Sequence, residues 1–396
     1  MSESLYCCIG ASFLWPWNCL LTAAMFTGPY LHEYPALAQS YSSTVMLCST
    51  AANLVVSSLL AFRPHSFGHR IKFGQILIAS GFIALSLATI LQLPPVTYFC
   101  SIIVLVLTIS VGTSHVQNGA FAISQRIPGG REARAMLIGQ SIAGVFPPIF
   151  GLFLAATGTS KSTHSSSGES SIVAKLSEAK NPTDLVDPKF AVFLFLSSTA
   201  LCCVALYTFR GPTVRAHILL SEQQDDIDFP GHTLSDLFAK IRIPSIAIFL
   251  TFVVSLSYSV FANNVRSSTI SPQTYSPLAL LLWNGGDFLG RLMCESDKFI
   301  VTNASYLVRY AFLRILFIPI LIGLQRLGNP SDVVYLLLML AYGITNGHLL
   351  SSSISFAPSL VQPEQRASAG GLIGMVVSFG LVAGALASFF IVFYIS

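Results

Sequence analysis

Long apolar runs dominate the chain, and short segments rich in charged, Gly, Pro and Ser residues separate them. A helix needs roughly 20 apolar residues to cross a hydrocarbon core about 30 Å thick, and runs of about that length recur throughout. The pattern therefore predicts eleven transmembrane helices. The predicted spans lie near residues 5–27, 42–62, 73–93, 98–123, 136–157, 189–209, 243–262, 276–294, 306–325, 333–357 and 369–394.

Composition indicates an all-α integral membrane protein and excludes an ordinary soluble enzyme. Hydrophobic residues make up 53% of the chain and charged residues 10%, and the mean hydropathy is +0.69. A soluble domain carries roughly 25% charged residues. The formal net charge of +4 is spread over loops, so we expect the lipid bilayer, and no nucleic acid, as a partner. No feature indicates an obligate protein partner.

Basic residues are concentrated in every second loop, and this asymmetry sets the predicted orientation. The loops after spans two, four, six, eight and ten hold most of the 21 Lys and Arg residues. Loops with such an excess face the cytoplasm. We therefore expect a cytoplasmic N-terminus and a C-terminus outside the cell or in a lumen. The long loop 210–242 then separates a six-helix bundle, residues 1–209, from a five-helix bundle, residues 243–396.

Two charged residues lie inside the predicted eighth span. Asp287 and Arg291 are four residues apart, so a helix makes them a favourable pair, with Asn284 on the same stripe. A carboxylate at membrane depth costs at least a few kcal/mol unless it is paired or hydrated, which indicates a functional site. The alternative is an ion pair that only locks two helices together. Arg314, in span nine, is expected to extend to the cytoplasmic interface.

Further polar residues are distributed over several predicted spans. Singly, such residues commonly serve helix–helix hydrogen bonds, but together they form the lining that a solute pathway requires. No nucleophile–base set or metal-ligand cluster is evident, so we expect a transporter rather than an enzyme or a channel. We expect no catalytic residues, no metal and no cofactor. The polar residues are Trp17, Asn18, His115, Gln117, Asn118, Gln140, Asn346 and His348.

Six short motifs resemble those of the equilibrative nucleoside transporter family and occur in that family's order along the chain. The tryptophan before the Pro-Trp-Asn element in span one is similar to the fungal branch. One such motif would be weak, whereas six in order are specific. The motifs are LWPWN at 14–18, QNG at 117–119, GQSIAG at 139–144, NGGDFLGR at 284–291, RILFIP at 314–319 and TNG at 345–347.

The resemblance implies a major-facilitator-like fold of six helices plus five, with a cavity between the bundles. It implies facilitated diffusion of nucleosides such as adenosine and uridine by alternating access, with nucleobases as further substrates. By motif, Gln117 would meet an edge of the base, and Asp287 with Arg291 would meet the ribose hydroxyls. The implied substrate-binding residues are Trp17, Gln117, Asp287, Arg291, Leu14 and Asn284.

Departures from the family pattern leave alternatives open. His348 stands where an aromatic residue is usual, and His115 lies two residues before Gln117. A buried histidine that titrates near neutrality would couple transport to protons, so a proton-linked or pathway role is open for His115, His348 and Asn346. The alternative is that each histidine is an interior residue whose hydrogen bonds are made within the protein. A major-facilitator-type drug or sugar carrier is the alternative function. The fungal-type resemblance favours a vacuolar or other intracellular membrane over the plasma membrane.

Overall fold

The computed structural model is helical wherever it describes regular structure. It describes residues 2–31, 33–62, 66–126, 130–162, 188–211, 234–257, 261, 267, 270, 272–326 and 331–395. Three short 3-10 segments connect some of the longer helices. The helices are α1 (Ser2–Tyr30), α2 (Pro35–Ala61), α3 (Phe67–Ile90), α4 (Pro95–Arg126), α5 (Arg131–Ser162), α6 (Pro188–Thr208), α7 (Leu234–Ser255), α8 (Pro272–Met293), α9 (Ala304–Arg314), α10 (Phe317–Arg326), α11 (Asp332–Phe356) and α12 (Arg366–Ile395).

Each predicted span coincides with helical structure. Among the described residues, nine helical stretches are long and apolar enough to cross a membrane. Large apolar side chains such as Leu59, Val104 and Phe390 are 60%, 62% and 76% exposed. Lipid would solvate such outward-facing groups, whereas a water-exposed surface of this kind would associate. The all-α membrane fold is thus confirmed, and the count of eleven crossings and the orientation of the termini stay predictions.

Two boundaries differ from the sequence prediction. Helix α7 begins at Leu234, inside the predicted loop 210–242, of which residues 212–233 lie outside the described part. Predicted span nine is two helices, α9 and α10, with a turn at residues 315–316. Pro319 explains the break, because a proline lacks the N–H of an interior helix position but is tolerated in a first turn. It occupies that first turn in α10.

Glycines allow α8 and α11 to pack with their backbones in contact. A Cβ atom on Gly286 would overlap the carbonyl oxygen of Leu340, and one on Gly343 would overlap that of Trp283. Small residues at such positions are typical of membrane helix pairs, since close backbone approach increases van der Waals contact. The α8–α11 contact therefore fixes the height of Asp287 and Arg291 relative to the polar residues of α11.

The first six helices and the last six meet along two main contacts. Helix α5 packs against α8, and α12 packs against α2 and α4 as well as α7. Within the first group, α1 packs on α5 and α6, and α3 on α4 and α6; within the second, α8 packs on α11 and α7 on α9. The α5–α8 contact places the motifs of spans five and eight side by side.

Candidate functional site

Helix α8 places Asp287 and Arg291 one turn apart with both side chains in the protein interior. Arg291 Nε lies 2.9 Å from Asp287 Oδ2, and the side chains are 7% and 5% exposed, respectively. Removing two charges from water costs several kcal/mol per ion, which good geometry and further hydrogen bonds must offset. The role of the pair therefore depends on what surrounds it.

Asn346 joins the pair to two further helices. Its Nδ2 atom donates to Asp287 Oδ1 over 2.6 Å. Its Oδ1 atom accepts from Arg314 Nη2 on α9 over 2.9 Å. The same oxygen accepts from the Ser255 hydroxyl on α7. Four helices, α7, α8, α9 and α11, thus contribute to one connected set of buried polar side chains.

Arg314 lies inside this set, and the expectation that it reaches the cytoplasmic interface is wrong. The residue is 1% exposed. Its Nε atom lies 3.4 Å from Thr345 Oγ1, and its guanidinium carbon lies 5.5 Å from the centre of the Tyr342 ring. A hydrogen bond to Asn346 and an aromatic face replace part of its hydration. The cation is therefore an interior element of the site.

Arg291 also links α8 to α5. Its Nη1 atom donates to the backbone oxygen of Leu137 over 2.6 Å and to Gln140 Oε1 over 3.2 Å. The guanidinium thus lies beside a carboxylate and donates to two further acceptors at once. We define the Asp287 network as Gln140, Ser255, Asp287, Arg291, Arg314 and Asn346.

Asn284 lies beside this network, at the same α5–α8 contact. A Cβ atom on Gly144 would lie 2.6 Å from Asn284 Oδ1, so the glycine of the GQSIAG motif makes room for that amide. Asn284 is half-buried, and its Nδ2 atom donates to the Leu280 carbonyl over 2.8 Å. The motifs of spans five and eight therefore meet directly.

The two candidate residues of α1 lie on the helix that packs along α5. Leu14 and Trp17 are half-buried, and Trp17 packs against the largest hydrophobic core. Their neighbour Asn18 donates to the Ala143 carbonyl on α5 over 2.8 Å. Helix α5 thus connects the motif of span one to that of span eight.

Gln117 is placed between α4 and α12. It is 4% exposed, and its Nε2 atom donates to the Gly374 carbonyl over 3.4 Å. Asn118 beside it accepts from Arg70 Nη1 over 2.6 Å and donates to the Gly371 carbonyl over 3.3 Å. In the described part of the chain, no hydrogen bond links Gln117 to the Asp287 network. The contact of Gln117 with an edge of the nucleobase therefore stays a prediction.

In the part of the chain that the structure describes, neither candidate histidine is hydrogen-bonded through its ring to the Asp287 network. A ring nitrogen of His115 contacts its own helix at the Val111 carbonyl, over 2.8 Å, and its ring packs against Phe73. His348 Nε2 lies 2.7 Å from the Phe299 carbonyl, beyond the end of α8. Within the described residues, no three His, Cys, Asp or Glu side chains cluster as metal ligands would.

Contacts between the first and last six helices concentrate toward the helix ends next to the loops after α4, α8 and α11. Gln125 on α4 donates to the Ile354 carbonyl over 3.2 Å, and Arg134 on α5 lies 3.3 Å from Asp297. Burial raises the pKa of Glu295, which lies close to this pair, and the positive charge of Arg134 opposes that shift. These loops are the ones that the distribution of basic residues predicts to be cytoplasmic.

Sequence reasoning missed part of the network. The sequence predicts Gln140 as part of the polar lining but not of the substrate site, and it predicts Arg314 at the membrane interface. It does not indicate Ser255. A positive charge in span nine, inside the RILFIP motif, was the available signal for Arg314. No local signal distinguishes Ser255 from the neighbouring serines of α7.

Comparisons with known proteins agree with the motif evidence. A family model described as "Nucleoside transporter" matches residues 212–393, which include most of the Asp287 network. The nucleoside transporter FUN26 of Saccharomyces cerevisiae is 27% identical over the whole of this chain and 84% of its own length. Human equilibrative nucleoside transporter 2 is 29% identical over 42% of this chain and 40% of that protein. These matches support the equilibrative nucleoside transporter family for this chain.

Solved structures show that this chain has the major facilitator fold. The E. coli fucose:proton symporter FucP superposes with a TM-score of 0.55 at 12% identity, over 100% of this chain and 98% of that one. The nucleoside transporter NupG superposes with a TM-score of 0.52 at 15% identity, over 97% of this chain and 89% of NupG. At these identities the likeness establishes the fold alone. The expected major-facilitator-like fold is confirmed, and its division into six helices plus five stays a prediction.

Proposed function

We propose that this protein transports nucleosides, adenosine and uridine among them, and nucleobases across a membrane by alternating access, down their gradients. The observation that carries the proposal is the buried pair of Asp287 and Arg291 at the junction of α5, α8 and α11. A nucleoside is neutral and has a polyhydroxyl sugar. A carboxylate accepts hydrogen bonds from hydroxyl groups, and a guanidinium donates to sugar oxygens. The pair of Asp287 and Arg291 is neutral overall, which suits a neutral substrate, and Arg314 is hydrogen-bonded to Asn346.

The remaining proposed contacts surround the substrate from both halves of the molecule. Asp287 accepts from ribose hydroxyls, Arg291 orients it, and Gln117 reads an edge of the base, since a side-chain amide both donates and accepts. Trp17 packs against the base or ribose because its indole ring presents a large apolar face. Leu14 and Asn284 complete the wall of the site.

We further propose the predicted orientation, with the N-terminus in the cytoplasm and the two bundles 1–209 and 243–396 joined by the loop 210–242. In that orientation the contacts of Gln125 with Ile354 and of Arg134 with Asp297 close the cytoplasmic end of the boundary between the bundles. The similarity to the yeast relative supports the fungal-type branch and, with it, an intracellular, vacuole-type membrane as the location; the plasma membrane is the second candidate.

The deciding experiment is uptake of labelled uridine and adenosine by the purified full chain in liposomes, with and without an inward proton gradient. We expect saturable uptake without the gradient, since facilitated diffusion needs only the substrate gradient. Liposomes without protein, and liposomes with an excess of unlabelled nucleoside, measure leak and non-specific binding.

Two other outcomes would change the proposal. Uptake that requires the gradient would keep the substrate class but assign proton-linked roles to His115 and His348, tested by replacing each with Gln. No uptake of either nucleoside, by protein that unfolds cooperatively in detergent, would refute the proposal. That result would favour the alternative function, a drug or sugar carrier with the same fold.

A further inference from the structure

The side-chain amide of Asn346 has only one orientation that satisfies its surroundings. Its Oδ1 atom faces two donors, Arg314 Nη2 at 2.9 Å and the hydroxyl of Ser255. If the amide were turned over, its NH2 group would face those donors and its oxygen would face the carboxylate of Asp287. The two donors therefore hold Nδ2 against Asp287, at 2.6 Å from Oδ1.

Arg314 acts on Asp287 through that amide rather than by direct contact. It is 1% exposed, and its charge must be stabilised inside the protein. A donor that is itself charged polarises the amide, and hydrogen bonds in such a chain strengthen one another at low dielectric. The chain from Arg314 through Asn346 to Asp287 therefore strengthens the last hydrogen bond, the one to the carboxylate.

The two oxygens of Asp287 are held from different helices. Asn346 on α11 holds Oδ1, and Arg291 lies beside Oδ2 on α8. The hydrogen bond from Asn346 and the adjacent charge of Arg291 restrain the carboxylate. An ionised carboxylate has about four acceptor sites, so sites remain for a ligand. A fixed acceptor discriminates between hydroxyl positions, whereas a rotating carboxylate adapts to whichever hydroxyl is present.

We infer that Asn346 and Arg314 are positioning residues that fix the Asp287 carboxylate and thereby determine how strongly the protein prefers ribonucleosides over deoxynucleosides. The inference rests on the proposed function, because it assumes that Asp287 meets the ribose. It assigns Asn346 to the orientation of a carboxylate rather than to proton transfer. It also gives Arg314 a role although that residue makes no described contact with Asp287.

The test is the ratio of KM values for 2′-deoxyuridine or 3′-deoxyuridine to that for uridine, measured with the full chain in liposomes. We expect Arg314→Gln to raise the KM for uridine about tenfold, the effect of one hydrogen bond involving a charged group. The KM of the more strongly rejected deoxynucleoside should change little, so the ratio should fall toward one. Arg314→Lys retains the positive charge but lacks the branched guanidinium group, so its KM ratio should lie between those of Arg314→Gln and the unmodified protein.

Tyr310→Phe is the matched control. Tyr310 lies on the same helix as Arg314, and its hydroxyl donates to the Thr345 carbonyl on α11 over 3.3 Å. The variant removes one hydrogen bond between α9 and α11 without touching Asn346. We expect its KM ratio to equal that of the unmodified protein.

Several results separate failure of this inference from failure of the proposed function. If Arg314→Gln lowers only the amount of active protein and leaves the KM ratio unchanged, the network is merely structural. Equal KM values for all three nucleosides in the unmodified protein would also overturn the inference. Absence of any uridine uptake would instead refute the proposed function. Should Arg314→Gln not fold, Asn346→Ser supplies the same ratio, with the same expected fall.

Discussion

Arg291 and Gln140 face each other across the boundary between the first and last six helices, with Arg291 Nη1 3.2 Å from Gln140 Oε1. The same guanidinium lies beside Asp287 on its own helix. A substrate that engages Asp287 therefore acts on a residue that also ties α8 to α5. Alternating access requires the two halves to move against each other, so the proposed site puts Arg291 where substrate binding would act on that movement.

Asp287→Asn should abolish nucleoside uptake and also destabilise the protein. The variant leaves Arg291 buried without its counter-charge, and breaking a buried pair in this way costs about 3–5 kcal/mol in the free energy of unfolding. The checks are uptake in liposomes and chemical unfolding in detergent. The double variant Asp287→Asn with Arg291→Gln removes both charges, so it should recover much of the stability while uptake stays absent.

The double variant also separates function from structure. If Asp287→Asn unfolds much of the protein but the folded remainder transports uridine at the normal rate per molecule, Asp287 only locks helices together. Recovered uptake in the double variant would lead to the same conclusion, because neither charge would then be needed for transport.

Gln117→Ala should change selectivity between bases more than sensitivity to changes in the ribose. The side chain is buried between α4 and α12, at one of the contacts between the halves. Competition of unlabelled purine, pyrimidine and deoxyribose nucleosides against uridine uptake measures both effects. A larger change among the deoxyribose nucleosides would contradict the assigned role.

Gln125→Ala is the matched control for that variant. Gln125 is another buried glutamine of α4, and its Nε2 atom also donates to a backbone carbonyl of the last six helices, that of Ile354. We expect it to alter the uptake rate without altering the order of base preference, because it lies nearer the end of α4 than Gln117 does.

Gly286→Ala should lower the free energy of unfolding by about 1–3 kcal/mol, because overpacking at a tight contact forces the backbone apart. The added methyl group would meet the backbone of Leu340 and Ile344 on α11. Gly285→Ala provides the comparison, since a Cβ there has no atom within 4 Å. Alanine should be neutral at that position or stabilise the helix by up to about 1 kcal/mol. Equal effects of the two substitutions in detergent unfolding would contradict the close α8–α11 packing.

Asp297→Asn should change the free energy of unfolding by less than about 1 kcal/mol, because exposed ion pairs contribute little. The carboxylate lies 3.3 Å from Arg134 but is 80% exposed. The effect should shrink further at 1 M salt, where screening acts over about 3 Å. A loss as large as that of Asp287→Asn would show that this pair, rather than the buried contacts, holds the halves together.

The sequence by itself determined the features that depend on neighbouring residues. Length and hydropathy located the membrane helices, and the four-residue spacing of Asp287 and Arg291 placed them as a pair, because the rise and turn of a helix are the same in every fold. The six motifs identified the family. The early start of α7 and the break at Pro319 were not predicted, although a proline in a span is a recognisable local signal.

The tertiary structure decided which distant residues complete the pair. Asn346 reaches Asp287 and Gln140 reaches Arg291 from two other helices, and Arg314 on a third helix is joined to Asp287 through Asn346. No local pattern indicates those contacts. The sequence also did not show that the side chain of Arg314 faces the protein interior. Lipid tails are as apolar as a protein core, so both sides of a membrane helix carry hydrophobic residues and periodicity does not reveal the inward face. Packing of α9 against α7 and α11 turned that arginine inward, and this placement made it part of the site.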